Sequence, residues 1–187
     1  MSRPTKVERV GRATFTPLPL LLTHSLAVYF LKRAQILVAE TWAAFFPAPS
    51  TSNPIPHPIF PGGGIHKLTM FADYRVPQIL HQLKILTYPP PLLKLLESGY
   101  YFEHGSKEEV SIRAASILAV ERVRDEILSL RHQSKETAGA ATVGWQSGLE
   151  VPICSVLIDF YLWDAAKEIE DAGEIVVPPH RTRSTWY

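Results

Sequence analysis

Leu68-Thr-Met-Phe-Ala-Asp-Tyr-Arg-Val-Pro-Gln78 packs a carboxylate, a guanidinium, a phenol, a carboxamide and apolar anchors into one short stretch. An ordinary helix dilutes such groups with Ala, Leu and Lys. Pro77 lacks a backbone N–H and biases Val76 away from the α region, so no unbroken helix is expected through this point. Asp73, Tyr74 and Arg75 then sit beside a helix boundary, and Gln78 falls in the first turn of the next helix. Helix ends leave backbone donors free, and sites tend to be built there. The stretch also reads as a plain structural corner, with Asp73 capping the helix, Arg75 paired with a surface acid and Phe71 in the core. Spacing alone does not separate these readings.

Downstream of the corner, a helix is expected over about 77–86, stopped by Tyr88-Pro-Pro-Pro91. A short helix at 92–97 is entered through Pro91 and ended by Ser98-Gly99. Ser106 and Glu109 have capping-box spacing at the head of a long helix reaching about His132. Val110, Ala114, Ile117, Val120, Val123, Ile127 and Leu130 form its expected buried stripe, with Glu121, Arg122, Asp125 and Arg131 opposite. Residues 134–148 are small and polar, hence a loop. Pro152 opens a last helix to about Glu170. In it Asp164 follows Phe160 at i, i+4 and extends an apolar stripe, with Asp159 flanking it. Carboxylates so placed need partners or a raised pKa; a structural ion pair to an Arg is the plain alternative. The tail, Val177-Pro-Pro-His-Arg-Thr-Arg-Ser-Thr-Trp-Tyr187, is rich in cations and aromatics. His180, Arg181 and Arg183, next to Trp186 and Tyr187, could return to the body and bind an anion, or form a basic tail that touches nothing.

Upstream, residues 47–66 hold six prolines and three glycines and read as a loop or disordered insert. Residues 26–46 read as a helix. Its Lys32 and Gln35 are one turn apart and could reach one ligand together. Residues 1–25 read as a poorly ordered or atypical terminus. Its basic front and the apolar run at 15–31 admit a mitochondrial or secretory signal as an alternative, but Pro17, Pro19, Thr23 and His24 interrupt the run.

Composition narrows the classes. The chain has 187 residues, 46% of them apolar, enough for one domain with a real core. A formal charge of +1 gives no global field toward nucleic acid or an acidic membrane. One cysteine excludes an internal disulfide framework and a Cys-rich zinc site, and no HExxH, GxGxxG or Walker pattern occurs. No motif implies a metal or organic cofactor. Five or six helices and no convincing strand pair give an all-α fold class, with 26–187 as one helical domain.

Five segments occur here in the order found in the queuosine salvage proteins: Lys-Arg-Ala-Gln-Ile-Leu-Val-Ala-Glu-Thr-Trp at 32–42, the 68–78 stretch, Glu-Val-x-Ile-Arg at 109–113 in the capped helix, Ile-Asp-Phe-Tyr-Leu-Trp-Asp at 158–164, and His-Arg-x-Arg at 180–183. The chain resembles that family over roughly residues 27–46 and 66–187. The resemblance implies a helical fold similar to helix-hairpin-helix DNA glycosylases, shortened at the N-terminus. It implies hydrolysis of the N-glycosidic bond of queuosine 5'-monophosphate, freeing queuine for reinsertion into tRNA.

By matching position, the resemblance implies that Asp73 is the leading carboxylate, for catalysis or for reading the base, with Asp159 or Asp164 as the second. Lys32 and Arg75 bind phosphate or orient Asp73. Phe71, Tyr74 and Trp163 pack around the ligand, and Gln78 is a further substrate contact. His180, Arg181 and Arg183 close the site or hold the structure. The expected partner is a small nucleotide, with no direct nucleic acid and no membrane. The expected location is the cytoplasm, with the nucleus as a second compartment. A catalytically impaired or non-enzymatic binding protein on the same scaffold is the alternative, because the family is longer at the N-terminus.

Overall fold

Asp73 turns the chain into a helix. Its Oδ1 accepts the backbone N–H groups of Arg75 (3.0 Å) and Val76 (2.9 Å), satisfying two donors that a first helical turn leaves without partners. Helix α2, Arg75–Gln82, follows. Pro77 takes its third position, where a missing N–H loses no intrahelical bond. Val76, expected to be driven out of the α region, is therefore helical, and it is fully buried. The helix also ends earlier than the expected Leu86. Lys84 adopts a left-handed conformation (φ 60°), and the Ile85 N–H closes back on the Leu80 carbonyl at 2.9 Å.

The computed structural model describes residues 13–14, 29–47, 56–61, 64–137, 153–175 and 177–184. Helix α1 spans Lys32–Ala44. It begins later than expected because Leu31 is left-handed (φ 49°); residues 26–28 lie outside the described residues. Helix α3, Pro90–Glu97, carries prolines in its first turn as expected. Gly99 (φ 70°) ends it, with Tyr100 N–H bonded to Leu95 O at 3.1 Å. Helix α4, Lys107–Thr137, runs past His132 into residues expected to be loop. Helix α5 spans Ser155–Asp171. The remainder of the expected 134–148 loop and Pro152 lie outside the described residues, as do Trp186, Tyr187 and most of residues 1–28.

Two strand pairs correct the expectation that there are none. β1 (Ala13–Thr14) lies parallel to β2 (Leu86–Thr87), and β3 (Tyr101–Phe102) parallel to β4 (Arg181–Thr182). Each is a two-residue tie between distant segments, too short to show the period of two by which strands are recognised. The fold class is nonetheless mostly helical. The β3–β4 tie, with Thr182 Oγ1 donating to Phe102 O (2.8 Å), returns the tail to the body.

Helices α2, α4 and α5 share the main core, built on Met70, Val76, Ile79, Leu80, Val120 and Leu162. A second group joins Ala39 and Trp42 of α1 to Phe71, Cys154 and Val156. A third joins Leu92 and Leu96 of α3 to Phe102, Ile112 and Val177. Ile117, Val120, Val123 and Ile127 of the expected α4 stripe pack on the main core, but most of the deeply buried positions lie beside that stripe toward the head of the helix. Glu109, Ile112, Arg113, Ser116, Ala119 and Val120 are buried, while Leu130 is exposed. Polar residues occupy the inside of α4 because they bond to one another and to backbone, as the site below shows.

Part of the 47–66 stretch is anchored despite its loop composition. His57 is buried; its Nδ1 accepts the N–H groups of Ile59 (3.2 Å) and Phe60 (3.0 Å), so Nε2 donates to Trp42 O (2.9 Å). Among the described residues no helix is long and apolar enough to cross a membrane.

Candidate active site

Residues 69–73 are neither helix nor strand, and their backbone groups need partners from elsewhere. Side chains of three helices supply them. From α1, Gln35 Oε1 accepts the Thr69 N–H (3.1 Å) and the Thr69 hydroxyl (3.2 Å), while its Nε2 donates to Phe30 O (2.9 Å). From α5, Asp159 Oδ2 accepts the Phe71 N–H (2.8 Å). From α4, Arg113 Nε donates to Ala72 O (2.8 Å). Gln35 thus clamps the corner, with both ends of its amide bonded to Phe30 and Thr69.

This arrangement buries two carboxylates beside a half-buried lysine. Asp73 is 6% exposed and Asp159 2%. Burial raises the pKa of Asp73, opposed by the Val76 N–H, the charge of Lys32 and the Arg75 N–H. Asp159 is pushed up to about 8, first by burial and then by the charge of Asp73, against the Phe71 N–H and Lys32. Burial also pulls the Lys32 ammonium below its ordinary value, with Asp73 acting against that shift and Arg113 with it. Both carboxyls are thus pushed up by burial, Asp159 further by the charge of Asp73, while Asp73 keeps two backbone donors that favour its charged form.

The other expected site residues divide. Phe71 is buried, with its ring 5.8 Å from that of Phe160. Lys32 Nζ lies 5.9 Å from the Tyr74 ring centre, and the Arg75 guanidinium lies over Tyr74 (6.0 Å) and Trp163 (5.1 Å). Lys32, Tyr74, Arg75 and Trp163 thus form a cationic and aromatic shelf beside the carboxylates. Arg75 is also paired with Glu170 at 2.5 Å. His180 is buried near the charges of Arg113 and Lys32, and its pKa falls to about 3, first through burial, so its ring is neutral.

Gln78 donates to Val177 O (2.9 Å) and fastens the tail to α2. Arg181 and Arg183 stand over the exposed Tyr101 ring, at 5.9 and 5.3 Å. Asp164 is exposed, contrary to the expected stripe, and Asp159 holds the buried position. Five residues along a helix is about 140° of rotation, which separates the two carboxylates onto different faces. Glu109 and Arg113 were missed as site elements. Their i, i+4 spacing on the face shared with Ile112 and Ser116 was the available signal.

The profile of the queuosine salvage protein family matches residues 21–187, which takes in every residue of this arrangement. The chain belongs to the queuosine salvage protein family. Curated relatives agree. A Mus musculus protein named queuosine 5'-phosphate N-glycosylase/hydrolase is 39% identical over 166 residues, covering 86% of this chain and 41% of the mouse protein. Proteins of the same name from Nematostella vectensis (38% identical) and Sphaerobacter thermophilus (36%) cover 86% of this chain and 42% and 40% of their own lengths. The chain therefore spans about two fifths of the length of these relatives.

Proposed function

We propose that this queuosine salvage family member hydrolyses the N-glycosidic bond of queuosine 5'-phosphate and releases queuine. The burial of Asp73 and Asp159 around Lys32, inside the segment shared with proteins named for that reaction, carries the reading. Breaking a ribose–base bond builds positive charge on the sugar, which a fixed carboxylate stabilises while water attacks the anomeric carbon. Asp73 suits that role: Oδ1 is locked by two backbone donors, leaving Oδ2 as the oxygen neither of them takes. Asp159, protonated at neutral pH, supplies a proton to the departing base. Water adds hydroxyl to the sugar and gives up its other hydrogen as a proton that returns Asp159 to its acid form, so the base leaves with one proton and none is left over.

Lys32 and Arg75 are the cations placed to meet the 5'-phosphate, and Tyr74 and Trp163 offer flat faces to the base. Arg75 must exchange Glu170 for phosphate to do so. Phe71, Gln78 and His180 shape and hold the site. Asp164, Arg181 and Arg183 have positions that favour an outer role. In this reading the helical fold is similar to that of helix-hairpin-helix glycosylases, residues 26–187 act as one domain, the substrate is a free nucleotide and the location is cytoplasmic.

The test is to incubate the purified chain with queuosine 5'-phosphate and resolve products by mass. The expected result is free queuine and ribose 5-phosphate in equal amounts, with kcat/KM falling above about pH 8 as Asp159 loses its proton. A folded chain that releases no base contradicts the proposal.

A further inference from the structure

Arg113 and Glu109 form the most deeply buried ion pair among the described residues, with side chains 3% and 1% exposed and Nη1–Oε1 at 2.9 Å. Burying two charges is costly and is often no more stabilising than apolar packing, so stability alone explains such a pair poorly. This one is wired to the site. Arg113 Nε donates to the Ala72 carbonyl at 2.8 Å, and its guanidinium lies 4.1 Å from the Phe30 ring centre, just ahead of Lys32. Glu109 Oε2 accepts the Gly105 N–H at 3.3 Å. It thereby fixes the pair to the turn before α4.

Ala72 is the one residue between Phe71, whose N–H meets Asp159, and Asp73 itself. Its carbonyl is the handle by which α4 grips the corner. The Arg113 charge also reaches both Lys32 and His180.

We infer that Arg113, oriented by Glu109, is a positioning residue: it holds the Ala72 carbonyl and so sets where Asp73 stands against Asp159 and Lys32. The inference builds on the proposed hydrolysis, but its geometric core does not depend on it. Arg113's planar fork serves Glu109 through one nitrogen and Ala72 through another; a lysine keeps the charge but cannot reproduce both bonds.

The experiment compares wild type, Arg113→Lys and the double variant Glu109→Gln/Arg113→Gln, which leaves no lone buried charge. With queuosine 5'-phosphate, kcat is expected to fall by about ten- to a hundredfold in both variants, while KM stays within about twofold. Independently of turnover, carbon NMR of Asp159 is expected to show its titration moved by about half a unit or more. Should Arg113→Lys not fold, the double variant decides. Should wild type release no base, the proposed reaction fails, and the Asp159 titration alone decides the role of Arg113. Folded variants with an unchanged kcat and an unchanged Asp159 titration overturn the inference; where wild type is inactive, an unchanged titration overturns it.

Discussion

Replacing Asp159 by Asn keeps an oxygen for the Phe71 N–H and removes the titrating proton. In the folded chain Asp159 is raised from 3.8 to about 8. Between those values the folded state holds a proton that the unfolded state has released. The associated stability is fully present below about pH 4 and is lost as pH rises through 8. The slope is about 1.4 kcal/mol per pH unit, or about 3 kcal/mol between pH 5 and pH 7. Asp73, raised by the same burial, acts in the same direction. Other carboxylates act oppositely, so the readout is the difference between two urea-unfolding series, wild type and Asp159→Asn, from pH 5 to pH 8. The Asn variant is expected to gain on wild type by about 3 kcal/mol between pH 5 and 7, and to stop gaining above pH 8. Parallel curves would refute the reasoning, because Asp159 would then titrate alike in both states.

Other substitutions separate scaffold from chemistry. Gln35→Ala strands the Thr69 N–H and is expected to cost about 1–3 kcal/mol by urea unfolding; a loss below about half a kcal/mol would show that water replaces the clamp. Arg75→Ala breaks a pair whose Glu170 side chain is 53% exposed, so stability should fall by less than about 1 kcal/mol. The same change should raise KM for the 5'-phosphate but not for the dephosphorylated nucleoside, whereas Glu170→Ala should lower it by releasing Arg75. Equal effects on both substrates would remove Arg75 from the phosphate site.

Much of the corner was readable from residue types. Asp73 ahead of a proline-marked helix start is a cap by simple hydrogen-bond accounting, and the structure realises it. The structural reading of the stretch also holds in full, with Arg75 on Glu170 and Phe71 in the core. A cap and a candidate catalytic carboxylate are the same side chain, which is why spacing could not choose between them. Ile117, Val120, Val123 and Ile127 of the expected α4 stripe do pack on the main core, but apolar periodicity assumes that polar residues face out. Glu109, Arg113 and Ser116 face in, since their hydrogen bonds are met by Ala72, Gly105 and one another. The i, i+4 relation to Phe160 suggests that Asp164 extends an apolar stripe, yet Asp164 is exposed. The buried face of α5 is set instead by Ile158, Leu162 and Ala166, which join the α2 core, and by Val156 and Asp159, which meet the second core group and the Phe71 backbone, and only the tertiary fold reveals it. The two-residue strand ties join segments dozens of residues apart, and nothing local encodes them.

The most direct test of the central claim is Asp73→Asn. Asn caps a helix about as well as Asp, so the fold and substrate binding should survive the change. The account predicts queuosine 5'-phosphate bound with near wild-type affinity and base release slowed by at least about a hundredfold. A folded Asp73→Asn chain that releases queuine at the wild-type rate would contradict the account.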